Sequence, residues 1–218
     1  MTTKEVQTPR GVTVQMHARD DTSDLSTIGS TFRLWGHLVD EYKLADIHSE
    51  GLLIDVGAHI GSVCIAFLLD NPKARALAVE PLPENVAMLT RNAESAGVMD
   101  RLTIVNAAVG TRTIHYGFDD HRYIGNIGGS TSNTAIHAET ITLSQMVEWC
   151  GPADVLKTDC EGGEWALLAD AAVRQCALII GEYHQRGAEA LHALLDATHV
   201  VTTSHEEAST GNFRAVRR

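Results

Sequence analysis

The stretch that decides the fold is LLIDVGAHIG, residues 52–61, in which a short apolar run leads into a glycine turn. The apolar run predicts a buried strand, and residues 62–68 that follow it predict a helix. Because Gly57 and Gly61 have no side chain, backbone amides of the turn can approach a ligand and the helix can pack closely on the strand. The stretch therefore predicts an α/β sheet with a ligand crevice at this turn.

A second strand-like run, residues 76–79, ends in Glu80. A carboxylate about 20 residues beyond a glycine turn can accept hydrogen bonds from the two hydroxyls of a ribose. Dinucleotide sites carry G-x-G-x-x-G, which seats a pyrophosphate at the helix N-terminus. This chain has G-x-x-x-G, with His59 at the middle position, which favours a nucleoside cofactor without phosphate. S-adenosylmethionine is the common cofactor of that kind, and a tight turn without any ligand is the alternative.

Length and composition restrict the classes of protein that the chain can be. At 218 residues it is predicted to form one domain, 1–218, with an N-terminal segment (1–50) and a core (51–218). No signal peptide and no apolar run of roughly 20 residues is recognisable, so no membrane partner is expected. Cys64 and Cys176 lie in apolar runs and are expected to be core residues, which fits a cytoplasmic location.

The charge balance argues against nucleic-acid binding. The formal net charge is −11 and the isoelectric point is near 5.4, whereas phosphate binding needs a basic face. Eleven histidines are present, but they form no H-x-H or H-x-x-x-H pair, so no metal ligand set is predicted. The expected partner is a small-molecule acceptor, and a homodimer is left open.

From residue 51 onward, strand and helix patterns alternate. Strands are predicted near 52–56, 76–80, 102–106, 154–159 and 177–183, and helices near 61–70, 83–96, 142–150, 163–173 and 187–196. The near-continuous apolar strands suit a parallel sheet covered on both faces. Residues 199–203 and 212–216 predict a terminal hairpin, whose strand near 212–217 is antiparallel and lies beside the strand near 177–183. The expected fold is a doubly wound, Rossmann-like sheet of seven strands, of the class I methyltransferase type.

Two segments break this alternation. In 1–50, the polar start is expected to be frayed, and a strand at 11–17 and a helix from about 27 to 47 are predicted. The apolar stripe of that helix is expected to be mostly core, with one aromatic residue at the pocket; it comprises Phe32, Trp35, Leu38, Val39 and Tyr42. The glycine-rich insertion 110–139 is interpreted as a substrate lid.

Several motifs make the chain similar to the FkbM family of S-adenosylmethionine-dependent methyltransferases, over residues 22–183. These are Thr22-Ser23-Asp24, the 55–61 turn, Val79-Glu80-Pro81 with Glu84-Asn85, Asn106-Ala107-Ala108-Val109-Gly110, and Asp154-Val155-Leu156-Lys157-Thr158-Asp159-Cys160-Glu161-Gly162-Gly163-Glu164. The last resembles the family signature "lKiDvEGaE". At four positions the chain differs from the residue that is usual in the family. His59 replaces a frequent Asn, Cys160 replaces Val, Gly163 replaces Ala, and Ser144 replaces Asp.

The predicted site follows from these motifs and from the rule that ligands bind at the carboxyl ends of parallel strands. Cofactor-binding residues are predicted to be Asp55, Gly57, Ala58, His59, Gly61, Glu80, Pro81, Asn106, Ala107, Ala108 and Asp159. The segment 106–108 is expected beside the adenine, read by backbone amides or by the Asn106 side chain. Phe67 and Trp165 are expected to be core residues.

The fourth strand carries charged residues that need an explanation. Lys157 and Asp159 point to one side of a strand expected at the centre of the sheet, where burial is costly without a partner. For Lys157, two interpretations are equally acceptable: an ion pair with Glu182 or Asp159 that only fixes the strand ends, or a role in the ligand site. For Asp159, a role in the ligand site is favoured. Glu164 is interpreted as a site residue or as a helix-capping carboxylate.

The resemblance implies methylation of a hydroxyl on a small secondary metabolite or a sugar. The alternatives are N- or carboxyl-methylation and a non-catalytic cofactor-binding protein. The predicted catalytic residues are His184 and Asp159, either of which would accept the hydroxyl proton. His115 and His121 in the insertion are reserve candidates. A divalent cation held by Asp159 with His184 or Glu182 is kept as an alternative, although it is not predicted.

Overall fold

The alternation of strands and helices predicted from residue 51 onward is present in the computed structural model. The structure describes residues 1–110, 114–118, 125–126 and 136–218. Its strands are β1 (Thr2–Gln7), β2 (Thr13–Ala18), β3 (Leu52–Val56), β4 (Arg75–Val79), β5 (Leu102–Val105), β6 (Ala108–Val109), β7 (Ile114–Phe118), β8 (Gly125–Asn126), β9 (Ile136–Ala138), β10 (Thr140–Ile141), β11 (Val155–Thr158), β12 (Leu178–His184), β13 (His199–Ser204) and β14 (Thr210–Arg217). Its α-helices are α1 (Asp24–Thr31), α2 (Ser62–Asp70), α3 (Pro83–Ala96), α4 (Leu143–Cys150), α5 (Glu164–Leu168) and α6 (Ala188–Leu195).

The main sheet has seven strands in the order β13-β14-β12-β11-β3-β4-β5. Strand β14 is antiparallel to both of its neighbours, β12 and β13, whereas the other neighbouring strands run parallel. The predicted sheet and its antiparallel last strand are confirmed, although β14 begins at Thr210 rather than near residue 212. Strand β11 lies at the centre, so its carboxyl end opens between those of β3 and β12.

Two hydrophobic clusters cover the two faces of this sheet. One includes Phe67 of α2 and Leu89 of α3. The other includes Trp165 of α5 and Leu191 of α6. Phe67 is 1% exposed and Trp165 is 7% exposed, which confirms both as core residues. Among the described residues, no helix has the length and apolar character needed to cross a bilayer.

The N-terminal segment differs from its prediction in two respects. Its first residues are not frayed, because β1 pairs along its whole length with β2. The predicted helix from about 27 to 47 is wrong beyond Thr31, since the Arg33 backbone N–H donates to the Gln7 carbonyl (2.7 Å) and ties the chain to β1 instead. The expected apolar stripe is therefore divided: Phe32 and Tyr42 are buried, whereas Trp35 is 72% exposed.

The chain between β5 and α4 contains the predicted insertion. Strands β6 and β10, at its two ends, pair in parallel as a separate two-stranded sheet. Strand β7 pairs with β8 and β9 between them. His121 lies outside the described residues, and His115 lies on β7, which is described for its backbone alone. The interpretation of 110–139 as a lid stays a prediction, as does the division of the chain into a 1–50 segment and a core.

Candidate functional site

A cavity of about 330 Å³ opens at the carboxyl ends of β3, β4 and β11. The glycine turn after β3, the end of β4 and the segment after β5 form one half, which we call the turn half. Helix α1, the residues Glu41 and Tyr42, and the ends of β11 and β12 form the other half, which we call the acidic half. The acidic half contains four carboxylates: Glu41, Asp159, Glu161 and Glu182. The volume is at the lower end of the range for small-molecule sites.

Gly57 allows the turn to lie directly against the end of β11. Its φ is +74°, and a Cβ at this position would come within 1.8 Å of the Asp159 carbonyl oxygen. Gly61, with φ +88°, caps the N-terminus of α2, and a Cβ there would lie 3.0 Å from Ile65 and Leu89. Both glycines are therefore required by the local backbone, as the sequence predicts.

Glu80 joins the turn after β3 to the start of α3. Its Oε2 accepts a hydrogen bond from the backbone N–H of His59 (2.8 Å). Its Oε1 accepts from the backbone N–H of Leu82 (3.0 Å) and from the Asn85 side-chain amide (3.1 Å). A carboxylate has about four acceptor positions. Three are in use, so Oε2 keeps one position for a ribose hydroxyl, rather than the two positions expected from the sequence.

Two polar side chains at the turn have buried atoms with no hydrogen-bond partner among the described residues. They are Ser62, which is 1% exposed, and His59, for which both ring nitrogens are buried and unpaired. Both side chains line the cavity. Burial lowers the pKa of His59 to about 4, although the Asp24 carboxylate at 3.7 Å opposes this. His59 is therefore neutral at physiological pH, and these unpaired groups fit a polar ligand.

Asp55 and Lys157 form a buried ion pair across adjacent strands. The Lys157 Nζ lies 3.3 Å from Asp55 Oδ1 and donates to the Gly57 carbonyl (2.8 Å). The Asp55 Oδ2 accepts from the Cys64 backbone N–H (3.2 Å). Burial disfavours the charged lysine, but the Asp55 and Asp159 carboxylates outweigh it and raise the pKa of Lys157. The predicted pairing of Lys157 with Glu182 is not found, whereas the predicted contact with Asp159 is present, since the Lys157 Nζ lies 4.0 Å from Asp159 Oδ2.

Tyr42 is a site residue whose role the sequence leaves undetermined. Its hydroxyl donates to Asp159 Oδ2 (2.9 Å), and its ring lies 5.8 Å from the Lys157 Nζ. Burial and the Asp159 carboxylate raise the pKa of Tyr42 well above its usual value, so the hydroxyl keeps its proton and acts as a donor. The prediction that one aromatic residue of this segment lines the pocket is therefore confirmed for Tyr42.

The side-chain amide of Asn106 and the backbone N–H groups of the two residues after it already donate to carbonyls of the protein. The Asn106 side-chain amide donates to the carbonyls of Glu80 (2.9 Å) and Pro81 (2.8 Å). The backbone N–H groups of Ala107 and Ala108 donate to Val105 and Glu139. Ala107, Ala108 and Pro81 line the cavity, so the two alanines can offer an adenine apolar side-chain contacts but not their N–H groups.

His184 lies among carboxylates at the end of β12. Its Nδ1 is 3.3 Å from Glu164 Oε1, and its Nε2 is 3.8 Å from Glu182 and 3.9 Å from Glu161. Burial disfavours the imidazolium, but Glu164 and Glu161 outweigh it and raise the pKa of His184 to about 9. Glu164 Oε2 also accepts the Gly162 backbone N–H (2.8 Å), which lies before the N-cap Gly163 of α5, so the interpretation of Glu164 as a helix-capping carboxylate is not confirmed.

Sequence reasoning missed the hydroxyl groups that helix α1 and its N-cap bring to the cavity. Ser23, Thr27, Ser30 and Thr31 of helix α1 and its N-cap line the acidic half. Their spacing of three and four residues places them on one helix face, and this period was visible in the sequence. The longer helix predicted from about 27 to 47 concealed it, because the apolar stripe is the stronger pattern in that segment.

Comparisons with known proteins agree with this architecture. The family model described as "Methyltransferase FkbM domain" matches residues 55–206, which is more than half of the chain. No sequence among curated proteins matches the chain. Among solved structures, the precorrin-6y C5,15-methyltransferase of Geobacter metallireducens GS-15 is similar at 13% identity, covering 85% of this chain and 91% of that one (TM-score 0.54).

Two further structures have the same fold at low identity. A protein described as an rRNA-methylase, from Clostridium thermocellum, is 10% identical over 82% of this chain and 94% of its own (TM-score 0.53). A protein of the NADB-Rossmann superfamily from Streptococcus agalactiae is 14% identical over 80% and 65% (TM-score 0.50). At these identities the likeness concerns the fold, whereas the family assignment comes from the FkbM match. The chain belongs to the FkbM methyltransferase family, and it is an S-adenosylmethionine-dependent methyltransferase.

Proposed function

We propose that this enzyme methylates a hydroxyl group of a small polar molecule, such as a secondary metabolite or a sugar. The observation that supports the proposal most is the position of Asp159. Its carboxylate lies where the turn half and the acidic half of the cavity meet, and its side chain is 28% exposed. A group placed there can contact both a cofactor in the turn half and an acceptor in the acidic half.

The turn half suits the cofactor. Glu80 Oε2 offers an acceptor position to a ribose hydroxyl, and Ser62 and His59 offer unpaired polar groups. Asp55 holds the turn through the Cys64 N–H and Lys157, and Gly57, Ala58 and Gly61 form it. When bound, S-adenosylmethionine supplies a methyl group on a positively charged sulfur, which is already reactive towards an oxygen nucleophile.

The residues of this chain then have two tasks, to orient the acceptor and to take its proton. Orientation in line with the methyl group contributes several kcal/mol in favourable cases, about 7–11 in intramolecular models. Proton removal contributes typically about 10²–10⁴-fold. We assign the proton to Asp159, whose carboxylate is oriented by the Tyr42 hydroxyl at 2.9 Å. With a pKa near 9, His184 already carries a proton at neutral pH, so it is the weaker candidate for a direct base.

The lining of the acidic half favours a neutral, hydroxylated acceptor over an anionic one. The hydroxyls of Ser30 and Thr31 can bond to hydroxyl groups, whereas Glu41, Glu161 and Glu182 would repel a carboxylate or phosphate. Methylation of a carboxyl group is therefore less favoured than methylation of a hydroxyl. The remaining alternatives to hydroxyl methylation are N-methylation and a non-catalytic cofactor-binding role.

The test is a product assay with S-adenosylmethionine whose methyl group carries ¹³C. Panels of polyols, phenols, amines and carboxylic acids should give a new methoxy carbon resonance with a hydroxylated acceptor. Asp159→Asn should reduce that signal by about 10²-fold or more while S-adenosylhomocysteine binding persists. An N-methyl resonance alone would instead establish nitrogen-directed methylation. Cofactor binding without product from any class of acceptor would favour the non-catalytic role.

A further inference from the structure

Three potential metal ligands come together at the ends of two neighbouring strands. Asp159 follows β11, and Glu182 and His184 lie at the end of β12, which is paired with β11 in parallel register up to Thr158 and Gly181. One ligand atom from each of the three side chains lies within 4.8 Å of the others. Because Glu182 and His184 are two residues apart on one strand, they lie on the same face of the sheet edge.

A fourth residue, Glu164, contacts both the backbone and the ring of His184. Glu164 is fully buried, and its Oε1 lies 3.3 Å from His184 Nδ1 and accepts the His184 backbone N–H (2.6 Å). This leaves Nε2 directed towards Glu182, at 3.8 Å. A metal-ligating histidine usually donates its other ring N–H to a carboxylate, which fixes the ring and its tautomer. Glu164 lies where such a carboxylate would be, and its contact with Nδ1 is an ion pair at 3.3 Å without a hydrogen bond.

We propose that Asp159, Glu182 and His184 bind one divalent cation beside the acceptor, with Glu164 as the residue that positions His184. This proposal rests on the proposed function for its chemical purpose, since a bound cation lowers the pKa of a coordinated hydroxyl. Carboxylate oxygens suit Mg²⁺ and Mn²⁺, and an imidazole ligand favours Mn²⁺ of the two. The Tyr42 hydroxyl is bonded to Asp159 Oδ2, so Oδ1 is left for the ion, and the second acceptor position of Oδ2 stays available for the proton of the acceptor's hydroxyl.

The remaining neighbours of the cluster fit this assignment. Thr210 donates to Glu182 Oε1 (3.2 Å), which orients that carboxylate. Glu161 Oε2 lies 3.9 Å from His184 Nε2, close enough to contribute a water-mediated or direct contact to the same ion. Lys157 is 4.0 Å from Asp159 and is already paired with Asp55, so among the described residues it is His184 that faces Glu161 and Glu182, and an ion bound there would take the place of its Nε2 proton. A divalent cation would compensate these charges.

The test measures Mn²⁺ binding directly, independently of turnover. The full-length protein is treated with EDTA, dialysed, and titrated with MnCl₂ while free Mn²⁺ is followed by its electron paramagnetic resonance signal. We expect one Mn²⁺ per chain. His184→Ala and Glu182→Gln should abolish this binding, and Glu164→Gln should weaken it by about 10–100-fold. His192→Ala is the matched control, because His192 forms an exposed contact with Asp196 elsewhere (2.9 Å) and should leave binding unchanged.

Three results would overturn the proposal: no Mn²⁺ binding at millimolar concentration, unchanged binding in folded Glu182→Gln and His184→Ala, or full turnover of EDTA-treated enzyme. If EDTA-treated enzyme keeps full turnover and prefers acceptors that carry an amine, the role of the carboxylates would be to bind the positively charged group of the acceptor. Thermal melting of each variant separates loss of a ligand from loss of fold. Failure of the proposed function can be distinguished from failure of the metal site, because Mn²⁺ binding needs neither S-adenosylmethionine nor an acceptor.

Discussion

The backbone carbonyl of Asp159 lies so close to Gly57 that a Cβ on residue 57 would be 1.8 Å from the carbonyl oxygen. This contact joins the cofactor turn after β3 to the end of β11, where the proposed proton acceptor lies. The Lys157 Nζ strengthens the junction by donating to the Gly57 carbonyl at 2.8 Å. The position of the Asp159 side chain is therefore fixed by the same backbone that forms the cofactor turn.

Gly57→Ala should consequently disrupt both stability and cofactor binding. Gly97→Ala is the matched control, because Gly97 also has a positive φ (+68°) but a Cβ there would meet no atom within 4 Å beyond its chain neighbours and its own helix. Left-handed backbone costs an alanine about 1–2 kcal/mol, so Gly97→Ala should lose about that much free energy of unfolding. Gly57→Ala should lose clearly more in urea unfolding and should not bind S-adenosylhomocysteine. Equal losses in the two variants would show that the contact is easily relieved.

Glu80→Gln should weaken S-adenosylhomocysteine binding by about tenfold, because the charged acceptor of a ribose hydroxyl is lost. Isothermal titration calorimetry measures this, with Glu84→Gln, an exposed carboxylate in the first turn of α3, as the control. Unchanged affinity in Glu80→Gln would remove the ribose role of this residue.

Glu80→Ala should in addition destabilise the fold, since the N–H groups of His59 and Leu82 and the Asn85 amide would lose their acceptor. Each buried donor left without a partner costs about 1–3 kcal/mol. Glu80→Ala should therefore melt well below Glu80→Gln. Similar melting temperatures would mean that water replaces the carboxylate.

Tyr42→Phe should reduce kcat without weakening cofactor binding, because its hydroxyl contacts Asp159 and no residue of the glycine turn. A hydrogen bond to a charged group contributes about 1.5–3 kcal/mol, so a decrease of about tenfold or more is expected. Tyr183→Phe is the control, since the buried Tyr183 hydroxyl has no partner among the described residues. The assay compares initial rates and S-adenosylhomocysteine affinity for both variants. An effect on affinity alone would place Tyr42 in the cofactor half.

The sheet was predictable from sequence because its strands are nearly continuous apolar runs that differ clearly from the amphipathic helices between them. The Asp55–Lys157 pair was missed for a different reason. The two residues face each other only through the register of β3 with β11, in which Asp55 lies opposite Lys157. Sequence spacing does not contain that register, so it indicated Glu182 and Asp159 as partners of Lys157 and did not indicate Asp55.

The segment after α1 was mispredicted because local pattern and tertiary contact disagree there. Apolar residues recur at helical spacing, but Trp35, Asp40 and Lys43 have positive φ, which a helix does not allow. Pairing of Arg33 with Gln7 of β1 stabilises this turn-rich path instead. It brings Tyr42 to Asp159, a contact across 117 residues of sequence that no local pattern predicts.

His59→Asn should make the protein less sensitive to acid. An unfolded chain protonates this histidine near pH 6.5, whereas burial in the folded chain lowers its pKa to about 4. The unfolded state therefore binds more protons between these values, and stability that is fully present above pH 6.5 is lost as the pH falls towards 4. A shift of this size corresponds to about 2–3 kcal/mol of lost stability at pH 4.5.

Urea unfolding of the wild type and His59→Asn at pH 7.5, 6.5, 5.5 and 4.5 measures this effect, because titrations shared by both proteins cancel in the difference. Above pH 6.5 the difference in free energy of unfolding should be constant, since His59 is neutral in both states. Below it, the difference should change steadily in favour of the asparagine variant. Asparagine retains a polar group at the cavity without a titrating proton, so the variant should still bind S-adenosylhomocysteine at pH 7.5. Parallel curves down to pH 4.5 would mean that His59 is protonated in the folded protein, with Asp24, at 3.7 Å, as its counter-ion.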